Sequence, residues 1–399
     1  MNKEKIMIIA HFCDYGDENT NNRFNYIAKM MFEAGNDVEL VTSSFSHRNK
    51  VQRCKKKDST YKIKLIYEPT YKRNISLKRL FYSHRIMAQN LKKYLETCQC
   101  PDVIYCAIPS IEVAEIAGSF AKKNHIPFII DVQDLWPEAY KLILKNDRVY
   151  NLLTNKMKKR VNRVYAAADT IISVSDTYLK RAAKVNRISK ENRSVYLGTD
   201  MKSFDEAALQ GKVDFQKEDK QIWIAYCGTL GHSYNLEIIF RALKGIDTHK
   251  YKFIVMGSGP LQKEFELRAR QLGINVLFTG MLQYPEMCAV LQQCDIAVNP
   301  IIKGAAQSII NKHGDYAMAG LPVVSTQEKG EYSCLLDEYQ CGINCDSENH
   351  KEVRNAINEL LCDEKKRNIY GKNSRKLAAE KFDRNRTYLF IKEAIEKYL

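Results

Sequence analysis

Short apolar runs alternate with amphipathic segments in the first half of the chain. Residues 5–10 form one apolar run, residues 23–32 have a helical pattern that Gly35 ends, and residues 38–42 form a second run. A strand, a helix and a strand in this order are a βαβ unit, which requires a parallel sheet. Further apolar runs extend the pattern at 102–106, 127–131 and 168–175. The first half therefore predicts an α/β domain.

The second half repeats this alternation and adds a longer composite stretch. Four more apolar runs predict strands at 222–231, 251–260, 276–280 and 295–300. Residues 307–326, QSIINKHGDYAMAGLPVVST, have the pattern of a loop, a helix, a turn and a strand. Asn311 is a favourable cap for that helix, and Gly320 is a favourable stop.

The length of 399 residues exceeds that of one ordinary core and predicts two domains. The polar stretch at 202–220 is the predicted linker. We therefore predict an N-terminal domain at 1–205, a C-terminal domain at 206–380, and a final helix at 381–399 that packs back on a neighbouring element.

The start of the helix in residues 307–326 is a candidate anion site. Unpaired N–H groups and the helix dipole favour an anion there, and Lys312 adds a positive charge. Asp315, one turn further, is placed to accept hydrogen bonds from sugar hydroxyls. Together they suit a nucleoside diphosphate sugar. The alternative is an ordinary helix with Asp315 favourable to the dipole and Lys312 solvated.

Two loops of the first half are further site candidates, because ligands bind at the carboxyl ends of parallel strands. The loop after the first strand ends in Asn22 and Arg23, which offer hydrogen-bond donors, unless it is simply a solvated loop. The strand end at 131–138 carries Asp134 beside Trp136 and Pro137, an arrangement typical of a catalytic cleft.

The net charge of +15 predicts an acidic partner. Between Arg48 and Lys93 the sequence has only two acids, Asp58 and Glu68, and its apolar residues recur at helical spacing. Such a basic amphipathic helix is typical of a membrane-surface element, and a second basic helix follows at 156–163. The alternative is a core helix with a solvated basic face.

Targeting signals and cysteine patterns point to a cytosolic location. The twelve cysteines contain no CxxC pair, which favours a reduced compartment over a disulfide framework. We find no signal peptide and no apolar segment of about 20 residues, so membrane contact is predicted to be peripheral.

Six ordered segments resemble glycosyltransferase family 4, in the branch that builds capsular, exopolysaccharide and O-antigen repeat units. The C-terminal segments are YCGTLGHSYNLEIIFRAL, VMGSGPLQKEFELRARQLGINVLFTG, CDIAVNP and NKHGDYAMAGLPVVS, and the N-terminal ones are ADTIISVSDTYL and DLWPE. The resemblance implies a GT-B fold, with two Rossmann-like doubly wound domains that face each other across a cleft. It implies an N-terminal acceptor domain, a C-terminal donor domain, and a final helix that returns to the N-terminal domain. It also implies sugar transfer with retention and without a metal ion or cofactor.

Site residues follow by position from the resemblance. Catalytic roles fall to Asp134, Lys312 and Asp315, and acceptor binding is assigned to Asn22, Arg23 and Trp136. The donor-binding positions are Gly228, Thr229, Gly231, His232, Gly257, Gly259, Met281, Leu282, Gln307, Ser308, Ile309, Ile310, Asn311 and Asp315.

The chain departs from the family pattern at several charged positions. Gln307 and Asp315 stand where the family has two glutamates, Thr229 and Asn235 stand near its arginine and lysine, and Gln133 replaces a histidine. The departures keep open the alternative of a non-catalytic partner chain of a two-chain glycosyltransferase. A nucleotide-sugar epimerase of the same fold is a further alternative, which the basic helices disfavour. A nucleic-acid binder is disfavoured because no recognition motif is present.

The leading hypothesis is a glycosyltransferase that uses a UDP-sugar and a polyprenyl diphosphate-linked saccharide acceptor. The basic segments at 55–93 and 156–163 would hold it on the anionic inner face of the cell membrane, since each cation near such a surface contributes about 1 kcal/mol.

Overall fold

The computed structural model divides the chain into two compact units. Unit 1 comprises Met1–Val195 and Tyr388–Leu399, and unit 2 comprises Tyr196–Thr387. The structure describes residues 3–14, 22–53, 59–72, 78–142, 144, 146–305 and 308–399. Each unit is a parallel sheet covered by helices, which agrees with the predicted α/β class.

Unit 1 is built on a seven-stranded parallel sheet. Its strands are β1 (Lys5–Ile9), β2 (Asp37–Ser43), β3 (Lys62–Ile66), β4 (Val103–Ile108), β5 (Phe128–Val132), β6 (Thr170–Ser173) and β7 (Asn192–Ser194). Its helices are α1 (Arg23–Glu33), α2 (His84–Leu95), α3 (Ile111–Asn124), α4 (Asp147–Ala167) and α5 (Asp176–Ala183), with a π-helical turn at Lys78–Ser83 and a 3-10 helix at Glu138–Leu142.

The strand order in unit 1 is β3-β2-β1-β4-β5-β6-β7. The order reverses direction between β1 and β4, which pair directly, with Ile6 opposite Val103. Every residue of β4 is buried, because helices cover both faces of a parallel sheet. A reversal of this kind opens a crevice at the carboxyl ends of the two strands, where α/β proteins bind ligands.

Unit 2 is built on a six-stranded parallel sheet of order β10-β9-β8-β11-β12-β13. Its helices and strands, in chain order, are α6 (Met201–Gln210), β8 (Ile222–Cys227), α7 (Leu236–Leu243), β9 (Tyr251–Met256), α8 (Gln262–Gln271), β10 (Val276–Gly280), α9 (Tyr284–Gln293), β11 (Ile296–Asn299), α10 (Asn311–Met318), β12 (Val323–Ser325), α11 (Glu331–Tyr339), β13 (Gly342–Asn344), α12 (His350–Cys362), α13 (Glu364–Leu377), a π-helical segment (Ala378–Phe382) and α14 (Arg384–Thr387). Here the order reverses between β8 and β11.

The predicted linker at 202–220 is wrong over its first half, where the structure has helix α6. Asp200 caps this helix by accepting a hydrogen bond from the Ser203 amide at 2.6 Å. Phe204 and Ala208 are buried in the core of unit 2. The units accordingly divide after Val195, whereas the sequence suggested a boundary after residue 205. A short polar helix with one apolar face resembles a linker in sequence.

The predicted basic amphipathic helix buries its apolar face inside unit 1. Met87, Leu91 and Leu95 of α2 are at most 2% exposed, so that face is not available to a membrane. Leu77 and residues 55–57 of the predicted segment lie outside the described residues. Among the residues that the structure does describe, no helix is long and apolar enough to cross a lipid bilayer.

The last helix, α15 (Leu389–Glu396), packs in unit 1. Tyr388, Ile391 and Ile395 are fully buried in the same apolar cluster as strand β1 residues Ile6 and Ile8. Leu389, on the opposite side of the helix, is 48% exposed. The helix is therefore part of the unit 1 core although it is the last element of the chain.

We predict that Ile391→Ala lowers the free energy of unfolding of unit 1 by about 2–5 kcal/mol, because it removes buried methyl groups and leaves a cavity. Urea unfolding followed by fluorescence in a Trp223→Phe background measures unit 1 alone, since Trp136 is then the remaining tryptophan. The matched control Leu389→Ala changes the same helix at an exposed position and should cost within about 0.5 kcal/mol. Equal losses in the two variants would contradict the packing of α15.

Candidate functional site

Two glycine loops meet at the carboxyl ends of β8 and β9 in unit 2. Gly257 has a φ of +143°, and a side-chain Cβ there would lie 1.9 Å from the Gly228 carbonyl oxygen. A Cβ on Gly259 would lie 2.2 Å from the Leu230 oxygen. The Leu230 amide in turn donates to the Ser258 carbonyl at 3.0 Å. Only glycine allows the two backbones to approach so closely, and the loops thereby leave their outer side open to a ligand.

Lys312 lies beneath the first of these loops. Its ammonium group is 3.9 Å and 4.2 Å from the ring centres of Tyr234 and Tyr226, and a Cβ on Gly228 would be 3.4 Å from its Nζ. The residue is 7% exposed, and within the described residues its Nζ has no hydrogen-bond partner. Burial lowers the pKa of Lys312 to about 7. A cation enclosed by aromatic rings without a carboxylate is suited to receive an anionic ligand.

The first turn of α10 differs from the prediction in its capping. The cap position is Ile310, and Asn311 is the first helical residue. The cap interaction comes from His313, whose Nδ1 accepts a hydrogen bond from the Ile310 amide at 3.3 Å. Burial and the charge of Lys312 hold the pKa of His313 well below its usual value, so the ring stays neutral and can accept. The Ile310 amide is thus engaged, although it was among the amides predicted to bind the donor.

The residues that precede α10 are fixed by neighbouring segments. The Ser308 hydroxyl donates to Glu331 Oε2 at 2.5 Å, and the Ser308 carbonyl accepts from the Gln327 side chain at 2.7 Å. Ile309 is buried in the core. Gln307, the position of the first family glutamate, lies outside the described residues. The segment is therefore positioned by contacts within unit 2.

Asp315 lies one turn further along α10 and is 8% exposed. Its Oδ1 accepts a hydrogen bond from the Thr199 hydroxyl at 3.1 Å. Burial raises the pKa of Asp315 to about 6, an effect that the Thr199 hydrogen bond and the charge of Arg384 oppose. The carboxylate is held in place by Thr199, as a group that positions a ligand needs to be.

The other residues predicted to bind the donor differ in their exposure. Thr229 and His232 are exposed beside Gly228, whereas Gly231 is buried. Met281 is 60% exposed after β10, and Leu282 packs partly on the unit 2 core.

Asn235 stands near the first glycine loop, close to a position where the family has a cation. Its side chain caps α7 by accepting from the Ile238 amide at 3.3 Å. The position therefore has a structural task, and among the described residues Lys312 is the buried cation beside Gly228.

Two of the three predicted acceptor residues have structural contacts in unit 1. Arg23 is 3% exposed and donates through Nε to Asp131 Oδ2 at 2.7 Å and through Nη1 to the Val195 carbonyl at 3.0 Å. Asp131 also accepts from the Tyr105 hydroxyl at 2.6 Å. Asn22 caps α1 through its side chain. The predicted contact of Arg23 with an acceptor stays a prediction, and the structure gives its guanidinium partners inside the core.

The Trp136 turn is the third predicted acceptor element. Asp134 Oδ1 accepts from the Leu135 amide at 2.8 Å, and Oδ2 accepts from the Trp136 indole at 3.1 Å. Burial raises the pKa of Asp134. Gln133, which replaces the family histidine, donates its amide to Asp131 at 2.6 Å. The catalytic role predicted for Asp134 is untested, and its carboxylate here orders the turn.

Sequence reasoning missed a cluster near this turn, which we call the His11 cluster: His11, Glu68, Arg79 and His84. His11 follows β1 after one residue, Glu68 follows β3, Arg79 lies in the π-helical turn and His84 begins α2. His11, Glu68 and His84 are each 1% exposed. The available signal was Glu68, because one of two acids in a long basic segment is a candidate for a buried partner.

Comparison with known proteins agrees with this geometry. Residues 211–377, which form most of unit 2, match the family model of glycosyl transferases group 1. The chain is 26% identical over 182 residues to D-rhamnosyltransferase WbpZ from Pseudomonas aeruginosa, an alignment that covers 45% of each protein. It is 25% identical over 230 residues to O-antigen chain mannosyltransferase C from Escherichia coli, covering 55% of this chain and 58% of that one. The matched part thus spans about half the length of these curated relatives.

The fold extends over the whole chain. The crystal structure of HepE from Anabaena in complex with UDP superposes with a TM-score of 0.70 at 14% identity, covering 98% of this chain and all of that one. Such a similarity shows a shared fold. The structural neighbours of this chain are GT-B proteins with two Rossmann-like units. The predicted fold class is confirmed.

We predict that Lys312→Met stabilises the unliganded protein by about 1–3 kcal/mol at pH 7, since it removes a buried charge without a partner. The unfolded chain keeps the Lys312 proton up to the ordinary pKa of 10.5, the folded chain only to a pKa of about 7. Stability therefore rises with pH in this window, because the unfolded state binds more protons. The advantage of the variant should shrink from pH 7 to pH 10.

Urea unfolding at several pH values measures this difference. The control is Lys303→Met, which changes a lysine that is 65% exposed and should leave the pH dependence as it is. An advantage of Lys312→Met that stays constant from pH 7 to pH 10 would contradict the depressed pKa.

Proposed function

We propose that this chain, a member of glycosyl transferases group 1, moves a sugar from a UDP-sugar to a lipid-linked saccharide acceptor in bacterial surface polysaccharide synthesis. The observation that carries the proposal is the Lys312 ammonium, which is buried beneath the glycine loops and has no hydrogen-bond partner among the residues that the structure describes. The relatives named as a D-rhamnosyltransferase and an O-antigen chain mannosyltransferase support the class of product. HepE, crystallised with UDP, supports the base.

The donor diphosphate occupies the space beside Gly228 and Lys312 in this proposal. Its negative charge supplies the partner that the ammonium lacks, and the backbone of the glycine loops permits close approach. Asp315 accepts hydrogen bonds from the ribose hydroxyls through an oxygen held in place by Thr199. The site thus provides one group for the charge and one for the sugar of the nucleotide.

The proposed reaction proceeds with retention. The bond between the anomeric carbon and the leaving phosphate oxygen breaks, a bond to the acceptor oxygen forms, and the acceptor proton passes to the leaving phosphate. Lys312 stabilises the negative charge that develops on the diphosphate. Electrostatic stabilisation of this kind by a preorganised group is usually the largest single contribution to catalysis. The reaction then requires no strong base from the protein.

The membrane part of the proposal is supported by helix α4 instead of α2. Leu152 is 81% exposed and Leu153 is 63% exposed near the start of α4, and the exposed cations Lys156 and Lys159 follow about one and two turns later. Arg160 is excluded from this surface, because it pairs with Glu112 and Glu115. Exposed leucines beside cations are typical of a helix that rests on anionic lipid, here the inner face of the cell membrane.

A non-catalytic partner chain is the second candidate, and Asn235 favours it. Asn235 caps α7 where the family has a cation, so a diphosphate has one fixed charge fewer in this chain. The partner-chain hypothesis predicts that the donor site is too weak to bind nucleotide by itself.

Thermal shift with UDP, GDP, ADP and TDP separates the two candidates. We predict that UDP raises the melting temperature, because a ligand at 100 times its dissociation constant adds about 2.7 kcal/mol. Asp315→Ala should abolish most of this shift, whereas Asp219→Ala, an exposed acid of unit 2, should retain it. A shift with none of the four nucleotides would reject the donor site in the isolated chain and favour the partner-chain hypothesis.

We predict that Leu152→Ser combined with Leu153→Ser reduces co-sedimentation with vesicles of anionic phospholipid at least several-fold. The reason is that each leucine that inserts into the lipid contributes about 1.5–3 kcal/mol to adsorption. The matched control is Leu209→Ser, which changes a leucine that is 86% exposed in unit 2. Equal binding to neutral and anionic vesicles would overturn the electrostatic part of the proposal.

A further inference from the structure

The crevice of unit 1 at the carboxyl ends of β1 and β4 contains buried polar atoms without partners. His11 follows β1, and Ser110 follows β4. Within the described residues, His11 Nδ1, His84 Nδ1 and the Ser110 hydroxyl are buried and make no hydrogen bond. A buried polar atom without a partner costs about 1–3 kcal/mol. His11 and His84 are neighbours, with ring centres 4.8 Å apart, at the edge of the sheet where α/β proteins bind ligands, and their two unpaired nitrogens point to a ligand.

The partner of His11 fixes its tautomer. Nε2 of His11 is 2.8 Å from Glu68 Oε2. Glu68 also accepts from the Ser43 and Ser83 hydroxyls, each at 2.6 Å, and these bonds with His11 hold its pKa at about 2 despite burial. An ionised carboxylate only accepts hydrogen bonds, so Nε2 of His11 must carry the hydrogen. In the neutral form of the ring, Nδ1 of His11 is then a lone pair, an acceptor without a donor.

The partner of His84 fixes the opposite tautomer. The Arg79 guanidinium donates through Nε to His84 Nε2 at 3.2 Å. A guanidinium has no acceptor atom, so Nε2 of His84 must be the lone pair and Nδ1 must carry the hydrogen. Burial, together with the charge of Arg79, lowers the pKa of His84 to about 2 and keeps the ring neutral. Nδ1 of His84 is therefore a donor without an acceptor.

The two imidazole rings thus offer one acceptor and one donor. Their centres are 4.8 Å apart, and the rings meet edge to face at 69°. A hydroxyl group matches this pair, because it donates one hydrogen bond and accepts others. A metal ion does not match it, although ligand atoms of His11, Glu68 and His84 lie within 4.8 Å of one another. His84 presents an N–H group where a metal needs a lone pair, and Arg79 places a positive charge beside it.

Aromatic rings surround the His11 cluster. Phe12 stacks on His11 with ring centres 4.2 Å apart, and Trp136 is parallel to His84 at 6.0 Å. Phe12 is partly exposed, while Trp136 is buried. Small-molecule sites in proteins have this composition, with aromatic walls and a few fixed polar groups that set orientation.

We propose that His11 and His84 bind one hydroxyl group of the saccharide acceptor, with His11 Nδ1 accepting its hydrogen and His84 Nδ1 donating to its oxygen. The proposal rests on the proposed function for the identity of the ligand. Glu68 and Arg79 act as positioning residues, since each fixes a tautomer. A site of this kind selects for the hydroxyl, because an analogue without it leaves both ring nitrogens unpaired.

Long-range ¹H–¹⁵N correlation spectra of the eight histidines in the full-length protein test the proposal. We expect the Nε2–H form for His11 and the Nδ1–H form for His84, assigned with His11→Gln and His84→Gln. The probes are the methyl α-glycosides of glucose, galactose, mannose and N-acetylglucosamine, added with UDP present. At least one should shift the Nδ1 signals of both rings. Its fully O-methylated derivative, which cannot donate to His11, should have no effect.

Substitution separates this site from the donor site. Gln places an amide about where Nε2 lies, so His11→Gln keeps a group for Glu68 and loses the Nδ1 acceptor. We expect it to weaken glycoside binding about fivefold or more while the thermal shift with UDP, which depends on unit 2, is unchanged. His350→Gln is the distant control and should leave both unchanged.

The opposite tautomers, or a lack of response to every glycoside in a protein that still binds UDP, would overturn the proposal. If no glycoside produces a response, an enclosed water molecule is the ligand of the two Nδ1 atoms, and no saccharide hydroxyl binds there. A loss of the UDP response as well as the glycoside response in the unsubstituted protein would instead reject the proposed function.

Discussion

Lys312 holds an ammonium group between two tyrosine rings, without a hydrogen-bond partner in the described part of the chain, and the organisation of the candidate site in unit 2 follows from that position. The strand reversal between β8 and β11 opens the crevice, and the glycine loops leave space above the ammonium. His313 fixes the first turn of the helix that carries Lys312, and Thr199 fixes Asp315 one turn later. The unit loses stability by holding this buried cation, for which a bound anion would supply the partner.

Unit 1 treats its buried charges differently. Arg23 and Asp131 form an ion pair inside the core, and further hydrogen bonds from Tyr105 and Gln133 complete the carboxylate. Glu68 is likewise satisfied by one histidine and two serines. In the part of unit 1 that the structure describes, the buried atoms without a hydrogen bond include Nδ1 of His11 and Nδ1 of His84 in the crevice. We therefore propose a charged ligand for unit 2 and an uncharged polar one for the crevice of unit 1.

The alternation of apolar runs predicted most of the fold, because strands buried on both faces leave a strong local signal. Strands β3, β7 and β13 were missed. Lys62–Ile66 alternates lysine with apolar residues at a sheet edge, and Asn192–Ser194 and Gly342–Asn344 are each three residues long. Helix α6 was interpreted as a linker because two of its residues, Phe204 and Ala208, form its buried apolar face.

The geometry of the candidate site follows in part from the sequence. The spacing of Lys312 and Asp315 predicted that they lie on one helix, but the sequence did not predict the burial of Lys312, because Tyr226 and Tyr234 are distant in sequence. The sequence assigned Arg23 to a ligand for the same reason. Its partner Asp131 lies on strand β5, far away in the sequence. The opposite tautomers of His11 and His84 depend on contacts across several elements, and no local pattern records them.

The pKa of about 7 for Lys312 has a calorimetric consequence. At neutral pH roughly half of the unliganded molecules carry an uncharged amine at this position. An anion that binds beside the amine restores its ordinary basicity, so the protein takes up a fraction of a proton from the buffer as the complex forms. The heat of binding then includes the ionisation enthalpy of the buffer, and it differs between HEPES and Tris solutions of the same pH although the affinity is the same.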